Sequence, residues 1–273
     1  MKVAIIQYST YGHITKLARA VKEGVVETGL ASQVDLFQVP ETLSEDVLQL
    51  MHAPEKPSDI PVATIEVFEN YDAFLFGIPT RYGSAPSQWI DFWGQTGGLW
   101  AKGTLSGKPA GIFVSTGTPG GGQETTVRNS LNYLAHHGMP YIPLGSPIPD
   151  MFNLEEFHGG SPWGAGTYAG ADGSRLPNKI ELTVATTQGQ TFTKSAIKIF
   201  NSTHSQLATV ATGDQTPTEK EKQTQEKVAT TDESTKATKE TTKPAQETTN
   251  KRTEQSTKTV TPDDKSSCRC VIV

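Results

Sequence analysis

The chain has 273 residues and a net charge of −5, and no Phe, Trp or Tyr follows Phe200. Residues 213–273 carry 11 basic and 11 acidic side chains, so the negative excess belongs to the part before them. That balance excludes the basic face of a nucleic-acid-binding protein, and we expect no nucleic-acid partner. Both cysteines, Cys268 and Cys270, lie in the last six residues, which excludes a disulfide-supported fold.

Composition divides the chain into three segments. Residues 1–204 carry the apolar patterns of one folded domain, whereas residues 205–265 are rich in Thr, Lys, Glu and Gln, and residues 266–273 form a short C-terminal motif. A segment so poor in apolar side chains cannot offset its ordering entropy, so we predict that 205–265 is a disordered linker. A solvated helix is the alternative, and the frequent Thr disfavours it. The first apolar run is too short for a signal peptide, so we expect the domain to face the cytosol.

Short apolar runs alternate with helical patterns along the domain. Strands are predicted for residues 2–8, 33–39, 71–79, 108–116 and 139–145. Helices are predicted for residues 14–29, 40–53, 87–98, 124–138 and 179–200, and a proline-broken connection for 54–65. Strands that are apolar along nearly their whole length are typical of a parallel sheet covered on both faces. We therefore predict an α/β fold, a doubly wound five-stranded parallel sheet with its ligand at the carboxyl ends of the strands.

The loop after the first predicted strand is rich in hydroxyl groups. It reads STYGHI and comprises Ser9, Thr10, Tyr11, Gly12, His13 and Ile14. The helix that follows offers free N–H groups and a partial positive charge, so hydroxyls and amides alone suit a phosphate here. An ordinary Ser or Thr helix cap is an equally reasonable alternative for this loop taken by itself.

Two further loops reach the same edge of the predicted sheet. The loop after the third strand contains Thr80, Arg81 and Tyr82, of which Tyr82 offers a flat face to a ring system and Arg81 a donor or a cation. A polar turn whose tyrosine shields the core edge is the alternative. The loop of residues 115–124 has several glycines directly after a buried strand, so its backbone approaches a ligand or takes positive φ. A flexible surface loop is the less favoured alternative.

Five motifs in succession resemble one protein family. STYGHI, PTRYG, QTGGLWAKG, STGT with GGGQE, and LAHHGM stand in the order and approximate spacing of flavodoxin-like NAD(P)H:quinone oxidoreductases of the WrbA type. Residues 159–182 resemble that family's segment before its last helix, and the resemblance runs from Lys2 to about Phe200. It implies a flavodoxin-like fold that binds FMN, with NADH or NADPH as co-substrate, a quinone as electron acceptor, and a homodimer or homotetramer.

The resemblance also implies roles for individual residues. The phosphate loop corresponds to Ser9 through Ile14. Flavin-contacting positions correspond to Thr80, Arg81, Tyr82, Ser115, Thr116, Gly117, Thr118 and His137. Tyr11 and Trp100 match aromatic residues on the nicotinamide and substrate side. From the residues alone, His137 would be a helix C-terminal cap and Trp100 a core residue, and His136 is expected to be structural or exposed.

Pro119 departs from the family's pattern, in which the glycines directly follow STGT. Proline has no N–H and a fixed φ, so we expect the ligand contacts after Thr118 to be less secure than those before it.

The implied chemistry is centred on the flavin, so we assign no catalytic side chain and predict no metal site. We expect ping-pong kinetics, in which NAD(P)H reduces FMN and leaves before a quinone takes two electrons in the same pocket, a reaction that protects against oxidative stress. Two other classes stay open: an FMN-binding scaffold or regulatory protein with little turnover, and a flavodoxin-type electron carrier.

The chain ends in CRCVIV. Cys270, two aliphatic residues and a terminal Val fit the C-a-a-X prenylation motif, and Cys268 is a candidate for palmitoylation, the second signal that stable anchoring requires. We expect a membrane partner for this lipid anchor and a location on the cytoplasmic face of a membrane, the plasma membrane in the first instance, with part of the protein in the cytosol. A chance C-terminal sequence is the alternative.

Overall fold

The computed structural model describes the backbone of residues 1–211 and the side chains of residues 1–202. The strands are β1 Lys2–Gln7, β2 Gln33–Gln38, β3 Ala73–Pro79, β4 Ala110–Thr116 and β5 Gly166–Tyr168. The α-helices of the described part are α1 His13–Glu27, α2 Glu45–Leu50, α3 Ile65–Asn70, α4 Ser87–Gly94, α5 Gly97–Lys102, α6 Gln123–His137 and α7 Lys179–Ala211. The strands form one parallel sheet in the order β2-β1-β3-β4-β5. The chain moves from β1 to one edge of the sheet and then from β3 to the other edge, so the strand order reverses between β1 and β3.

Each face of the sheet has its own apolar core. One core joins β1, β3 and β4 to α3, α4 and α6 through side chains such as Phe68, Trp89 and Leu134. The other joins the opposite face to α1 and α7, with Leu17 and Phe192 among its buried residues. All residues of β3 and β4 are buried, as expected for central strands covered on both sides. The predicted doubly wound five-stranded architecture is confirmed.

Close contact between α1 and α7 fixes the second half of α1 against its neighbour. A Cβ on Gly24 would overlap the backbone carbonyl of Thr186, and a Cβ on Gly189 would overlap that of Val21. Only glycine allows the two helix backbones to approach this closely. The second half of α1 is therefore held against a long neighbouring helix, and its other end carries the predicted phosphate loop.

The predicted position of the fifth strand, residues 139–145, is wrong. The backbone there makes a single bridge to β4, in which Ala110 N–H donates to Pro140 O (2.9 Å) and Ile142 N–H donates to Ala110 O (2.8 Å). Pro140 and Pro143 have no N–H to continue such a ladder. The edge of the sheet is completed instead by β5, whose Thr167 pairs with Ser115.

Several helix boundaries also differ from the prediction. The first of the two helices between β2 and β3 begins at Glu45, not at residue 40, and the second, α3, was not predicted. The predicted helix 87–98 is two helices, α4 and α5, and none of the described helices is both long and apolar enough to cross a membrane. α7 continues to Ala211, past the predicted domain boundary at residue 204. The rest of the predicted linker 205–265 and the motif 266–273 lie outside the described residues.

Candidate active site

The loops after β1, β3 and β4 meet at the carboxyl edge of the sheet. Tyr8 N–H donates to Gly77 O (3.1 Å), and Thr80 N–H donates to Ser115 O (2.9 Å). These bonds extend the pairing of the strands into the loops and fix the start of each loop relative to its neighbour. The three loops predicted to face one ligand therefore form one surface.

The loop of residues 9–12 presents backbone N–H groups that have no acceptor. Gly12 ends the loop in the left-handed region, with φ 88°, and its own N–H donates to Ser9 Oγ (3.0 Å). Within the described part of the chain, the N–H groups of Ser9, Thr10 and Tyr11 and the first three N–H groups of α1 donate no hydrogen bond. Such a ring of donors at the positive end of a helix is a binding site for an anion.

Cationic side chains that the sequence did not reveal surround this loop. Lys56 Nζ donates to Ser9 O (2.8 Å), forms an ion pair with Glu41 (2.9 Å), and lies 4.4 Å from the centre of the Tyr8 ring. A cavity of about 230 Å³ separates the loop from the connection that carries Lys56, and Lys16 contributes to its wall. The hydroxyl-rich motif predicts an anion site made of uncharged groups alone. The structure also places Lys16 and Lys56 beside the loop.

Beneath the loop, Glu41 is ionised and the Tyr8 phenol is protonated. Burial raises the pKa of Glu41, but hydrogen bonds from Lys56, from the Leu43 N–H and from Tyr8 outweigh that effect and hold the pKa below its ordinary value. Burial and the Glu41 carboxylate hold the pKa of Tyr8 above its ordinary value, so the phenol stays protonated and donates to Glu41 (2.9 Å). Lys16, by contrast, has no ion-pair partner among the described residues, so its charge is available to an anion.

His13 and Ile14, both predicted in the phosphate loop, have side chains that point into the protein. Ile14 is fully buried in the core, so it offers a ligand only its N–H. Burial lowers the pKa of His13, although the nearby backbone of Gly173 and Arg175 acts in the opposite direction. Its Nε2 has no hydrogen-bond partner among the described residues. A neutral imidazole with one unsatisfied nitrogen therefore lies at the start of α1.

The loop after β3 is a tight turn with a tyrosine at its tip. Arg81 and Ser84 exchange backbone hydrogen bonds (2.7 and 2.9 Å), and between them Tyr82 and Gly83 have φ 52° and 73°. Two positive φ values are characteristic of a type I′ turn, which favours Asn or Gly at the position that Tyr82 occupies. The Tyr82 side chain is 98% exposed. An exposed aromatic side chain on a strained backbone indicates a binding role.

Arg81 joins this turn to the phosphate loop. Its Nη1 donates to Thr80 O (2.7 Å) and its Nη2 donates to Thr10 Oγ1 (3.3 Å). The guanidinium thereby adds a positive charge beside the free N–H groups of residues 9–11.

Pro119 is accommodated as the first residue of a 3₁₀ helix, Pro119–Gly121. The N–H of a first helical residue has no partner inside the helix, so proline sacrifices no hydrogen bond there. Before it, Thr116 Oγ1 donates to Thr118 O (3.0 Å), and Gly117 O accepts from Gly170 N–H (2.9 Å). The residues before Pro119 are therefore held by their own contacts, and Gly122 after it, with φ 85°, leads into α6.

A cavity of about 680 Å³ opens between α4, α5 and α6 beside the Tyr82 turn. Its aromatic walls are Trp93 and Tyr133, whose rings stack 5.3 Å apart, and Trp100, which is 59% exposed and so not a core residue. The amides of Asn129 and Asn132 are among its polar groups, and no Asp, Glu, Lys or Arg lies among the described residues that line it. A flat, uncharged ligand suits these walls.

His137 lies in the same wall, and Thr96 holds its ring. The Thr96 hydroxyl donates to Trp93 O (2.7 Å) and therefore accepts from His137 Nε2 (2.9 Å). Nδ1 is buried with no partner among the described residues, and burial together with the neighbouring His136 lowers the pKa, so the ring is neutral. A flavin contact through either nitrogen requires the ring to turn, and this role of His137 stays a prediction.

The two aromatic residues predicted for the nicotinamide and substrate side lie in different surroundings. Trp100 lines the 680 Å³ cavity, whereas Tyr11 does not. The Tyr11 hydroxyl donates to Met51 O (3.1 Å), at the end of α2. The structure therefore does not bring Tyr11 and Trp100 together on one wall.

Comparison with known proteins identifies the family to which these loops belong. Residues 1–151 match the family described as NADPH-dependent FMN reductase. The relative named NAD(P)H quinone oxidoreductase YCP4, from Candida albicans, is 64% identical over 201 residues, which cover 73% of this chain and 69% of the relative. The chain belongs to the FMN reductase family.

Other relatives and a solved structure agree with this membership. NAD(P)H quinone oxidoreductase PST2 of Candida albicans is 58% identical over 194 residues, 71% of this chain and 95% of the relative. Quinone-oxidoreductase QR2 of Triphysaria versicolor is 53% identical over 189 residues, 69% of this chain and 91% of the relative. The WrbA-like flavodoxin from Agrobacterium tumefaciens has a TM-score of 0.50 at 18% identity, covering 72% of this chain and 98% of that one, and shows the fold.

Membership in the FMN reductase family confirms the predicted fold, the predicted class of oxidoreductase and the prediction of FMN and NAD(P)H. The residues present fit that cofactor. Free N–H groups of residues 9–11, with Lys16 and Arg81 beside them, suit the doubly charged phosphate, while the exposed ring of Tyr82 suits a flat heterocycle.

Proposed function

We propose that this FMN reductase family member catalyses the two-electron reduction of a quinone, in which NAD(P)H, H⁺ and the quinone become NAD(P)⁺ and the hydroquinone. FMN, when bound, supplies the hydride acceptor and donor for this exchange. The names of the curated relatives support a quinone as the substrate. The observation that carries the proposal is the ring of unpartnered N–H groups at residues 9–11 and 13–15, because these donors can bind the flavin phosphate.

The protein's part in this reaction is to bind and orient the cofactor and the substrates. The phosphate loop and Arg81 anchor one end of the cofactor, and Tyr82 covers its ring. The neutral cavity beside Trp100 receives the quinone, which carries no charge and presents carbonyl oxygens to polar groups such as the amide of Asn132. We expect both substrates to use this cavity in turn, a ping-pong order in which NAD(P)⁺ leaves before the quinone enters.

A steady-state assay of the purified, FMN-loaded protein with NADH, NADPH and benzoquinone tests the proposal. Rapid oxidation of either nucleotide that depends on the quinone, with parallel lines in double-reciprocal plots, is the expected result. Bound flavin without turnover would instead favour the scaffold or regulatory role. A stable one-electron state on partial reduction would favour an electron carrier.

We further propose that the C-terminal residues tether the domain to a membrane that holds a lipid-soluble quinone, where its activity protects against oxidative stress. The support is the motif at Cys270 with Cys268 beside it. In addition, the match to PST2 covers 95% of that relative but only 71% of this chain, so this chain carries a segment that such relatives lack. Loss of the protein from the membrane fraction after Cys270→Ser is the expected result, and unchanged fractionation would contradict the tether.

Exposed apolar side chains support a homodimer or homotetramer. Leu154 is 98% exposed and Phe152, close to it in the chain, is 68% exposed, values that a monomer rarely tolerates for neighbouring large side chains. Sedimentation velocity of the purified domain tests this proposal, with a particle of at least two chains as the expected result. A single monomeric species at micromolar concentration would contradict it.

A further inference from the structure

Two buried hydroxyl groups connect the turn that carries Tyr82 to the loop after β4. Gly83 N–H donates to Thr80 Oγ1 (3.2 Å), the hydroxyls of Thr80 and Thr126 are 2.7 Å apart, and Thr126 Oγ1 donates to Gly122 O (2.8 Å). A hydroxyl carries one hydrogen, and that of Thr126 goes to Gly122, so Thr80 is the donor between the two threonines. The chain of bonds therefore runs in one direction, from the Tyr82 turn to the first turn of α6.

A second side chain of α6 holds the same turn. Asn129 Nδ2 donates to Gly83 O (2.7 Å), so both the N–H and the C=O of Gly83 are fixed by side-chain contacts that lead to α6. The surface of α6 also lies close beneath the turn, because a methyl group on Gly83 would come within 3.0 Å of Thr125 Cγ2. The turn has little freedom to change its conformation while these contacts hold.

These contacts explain how tyrosine is kept in an unfavourable conformation. The left-handed region is unfavourable for a non-glycine residue, and the exposed Tyr82 ring packs against none of the described residues that would offset this. The fixed Gly83 peptide and the paired Arg81–Ser84 backbone leave the turn no alternative. Thr126 and Asn129 are not among the motifs that carry the family resemblance.

We propose that Thr126 and Asn129 are positioning residues that hold Tyr82 against the ring of the bound flavin. They also couple the Tyr82 turn to the loop after β4, so the two walls of the ring site move together. This inference rests on the proposed function, because it requires FMN at the carboxyl edge of the sheet. It adds two residues of α6 that act through Tyr82 and not on the flavin.

Matched variants of the FMN-loaded protein test the inference. Thr126→Val keeps the shape of the side chain and removes the hydroxyl, Thr126→Ser keeps the hydroxyl, and Asn129→Ala removes the amide. Ser130→Ala is the control, because the buried Ser130 hydroxyl donates to Thr126 O (2.8 Å) inside α6 and does not touch the turn. The readouts are the Kd for FMN, the fluorescence of bound FMN, and hydrogen exchange of the Gly83 amide in flavin-free protein.

Asn129→Ala, which loses one hydrogen bond to the turn, is expected to weaken FMN binding about threefold to tenfold, and Thr126→Val, which loses two hydrogen bonds, by at least as much. Both should raise the fluorescence of bound FMN towards that of Tyr82→Leu, since an aromatic ring stacked on the flavin quenches it. Exchange of the Gly83 amide should become faster. Thr126→Ser and Ser130→Ala are expected to stay within about twofold of the parent protein, as substitutions that keep the turn's contacts.

Three results would overturn the inference. One is an effect of Ser130→Ala as large as that of Thr126→Val, which would indicate a general loss of helix stability. Another is an undiminished effect of Thr126→Val in a Tyr82→Leu background, where positioning residues have nothing left to position. The third is unchanged FMN fluorescence and affinity in Tyr82→Leu itself. In each case a parent protein that binds FMN and reduces quinone leaves the proposed function standing, whereas a parent that binds no FMN removes both.

Discussion

Replacing Lys56 with Met tests how the phosphate loop is supported. Two ion pairs in the structure have almost the same length, 2.9 Å for Lys56–Glu41 and 2.8 Å for Arg19–Asp59. Their exposures differ: the side chains of the first pair are 27% and 18% exposed, those of the second 47% and 62%. Water screens the second pair more strongly, so only the first is expected to contribute measurably to stability.

Lys56→Met removes two charge-assisted contacts, one to Glu41 and one to Ser9 O. Glu41 keeps other partners, among them Tyr8 and Gln88, so it is not left without hydrogen bonds. We expect the free energy of unfolding to fall by about 1–3 kcal/mol, and each kcal/mol to lower Tm by about 2–4 °C in a domain of this size. FMN affinity should fall too, because the released Ser9 carbonyl is free to turn towards the phosphate site.

Thermal unfolding followed by circular dichroism at pH 7 measures the effect, with Asp59→Asn as the control. The folded-state pKa of Glu41 lies below its ordinary value of 4.5, so its contribution to stability is present above about pH 4.5 and is lost as the pH falls through the folded pKa. The difference in Tm between parent and Lys56→Met should therefore shrink below pH 4.5. Equal Tm values for Lys56→Met and Asp59→Asn at pH 7 would refute this reasoning.

Three further substitutions probe the scaffold of the site. Gly24→Ala places a methyl group on the Thr186 carbonyl, and we expect a loss of at least about 2 kcal/mol in urea unfolding; an unchanged midpoint would mean that α1 and α7 move apart freely. Glu181→Gln leaves the cation of Arg175, 3.0 Å away, without its fully buried partner, and should cost about 3 kcal/mol in the same assay; a loss under 1 kcal/mol would contradict that role. Gly12→Ala meets no atom within 4 Å but must keep φ 88°, so its unfolding free energy should fall by only about 1–2 kcal/mol; a larger loss would contradict an open loop.

The architecture was predictable where local pattern and tertiary environment agree. The buried runs that became β1, β3 and β4 are apolar along most of their length, and a helical pattern follows each of them. The fifth strand was misplaced because residues 139–145 are more apolar than Gly166–Tyr168, while the prolines at 140 and 143 deny them a ladder. For a three-residue strand, pairing with β4 decides the outcome, and its own sequence carries almost no signal.

The loops of the site were predictable, but the contacts that support them were not. Glycine, hydroxyl and aromatic residues directly after apolar strands marked the three loops. Lys56 reaches Ser9 from a proline-broken connection distant in sequence, and Asn129 reaches Gly83 from the middle of a helix. Neither residue belongs to a motif, because such contacts depend on how elements pack and not on local spacing.

The free N–H groups of residues 9–11 and 13–15 are proposed to bind the phosphate of FMN. Isothermal titration calorimetry of the flavin-free protein with FMN and with riboflavin, which lacks the phosphate, tests it directly. Charge-assisted hydrogen bonds contribute about 1.5–3 kcal/mol each, so two or more of them predict an FMN affinity at least about 100-fold higher than that for riboflavin. Equal affinities for the two flavins, or no heat with either, would contradict the account.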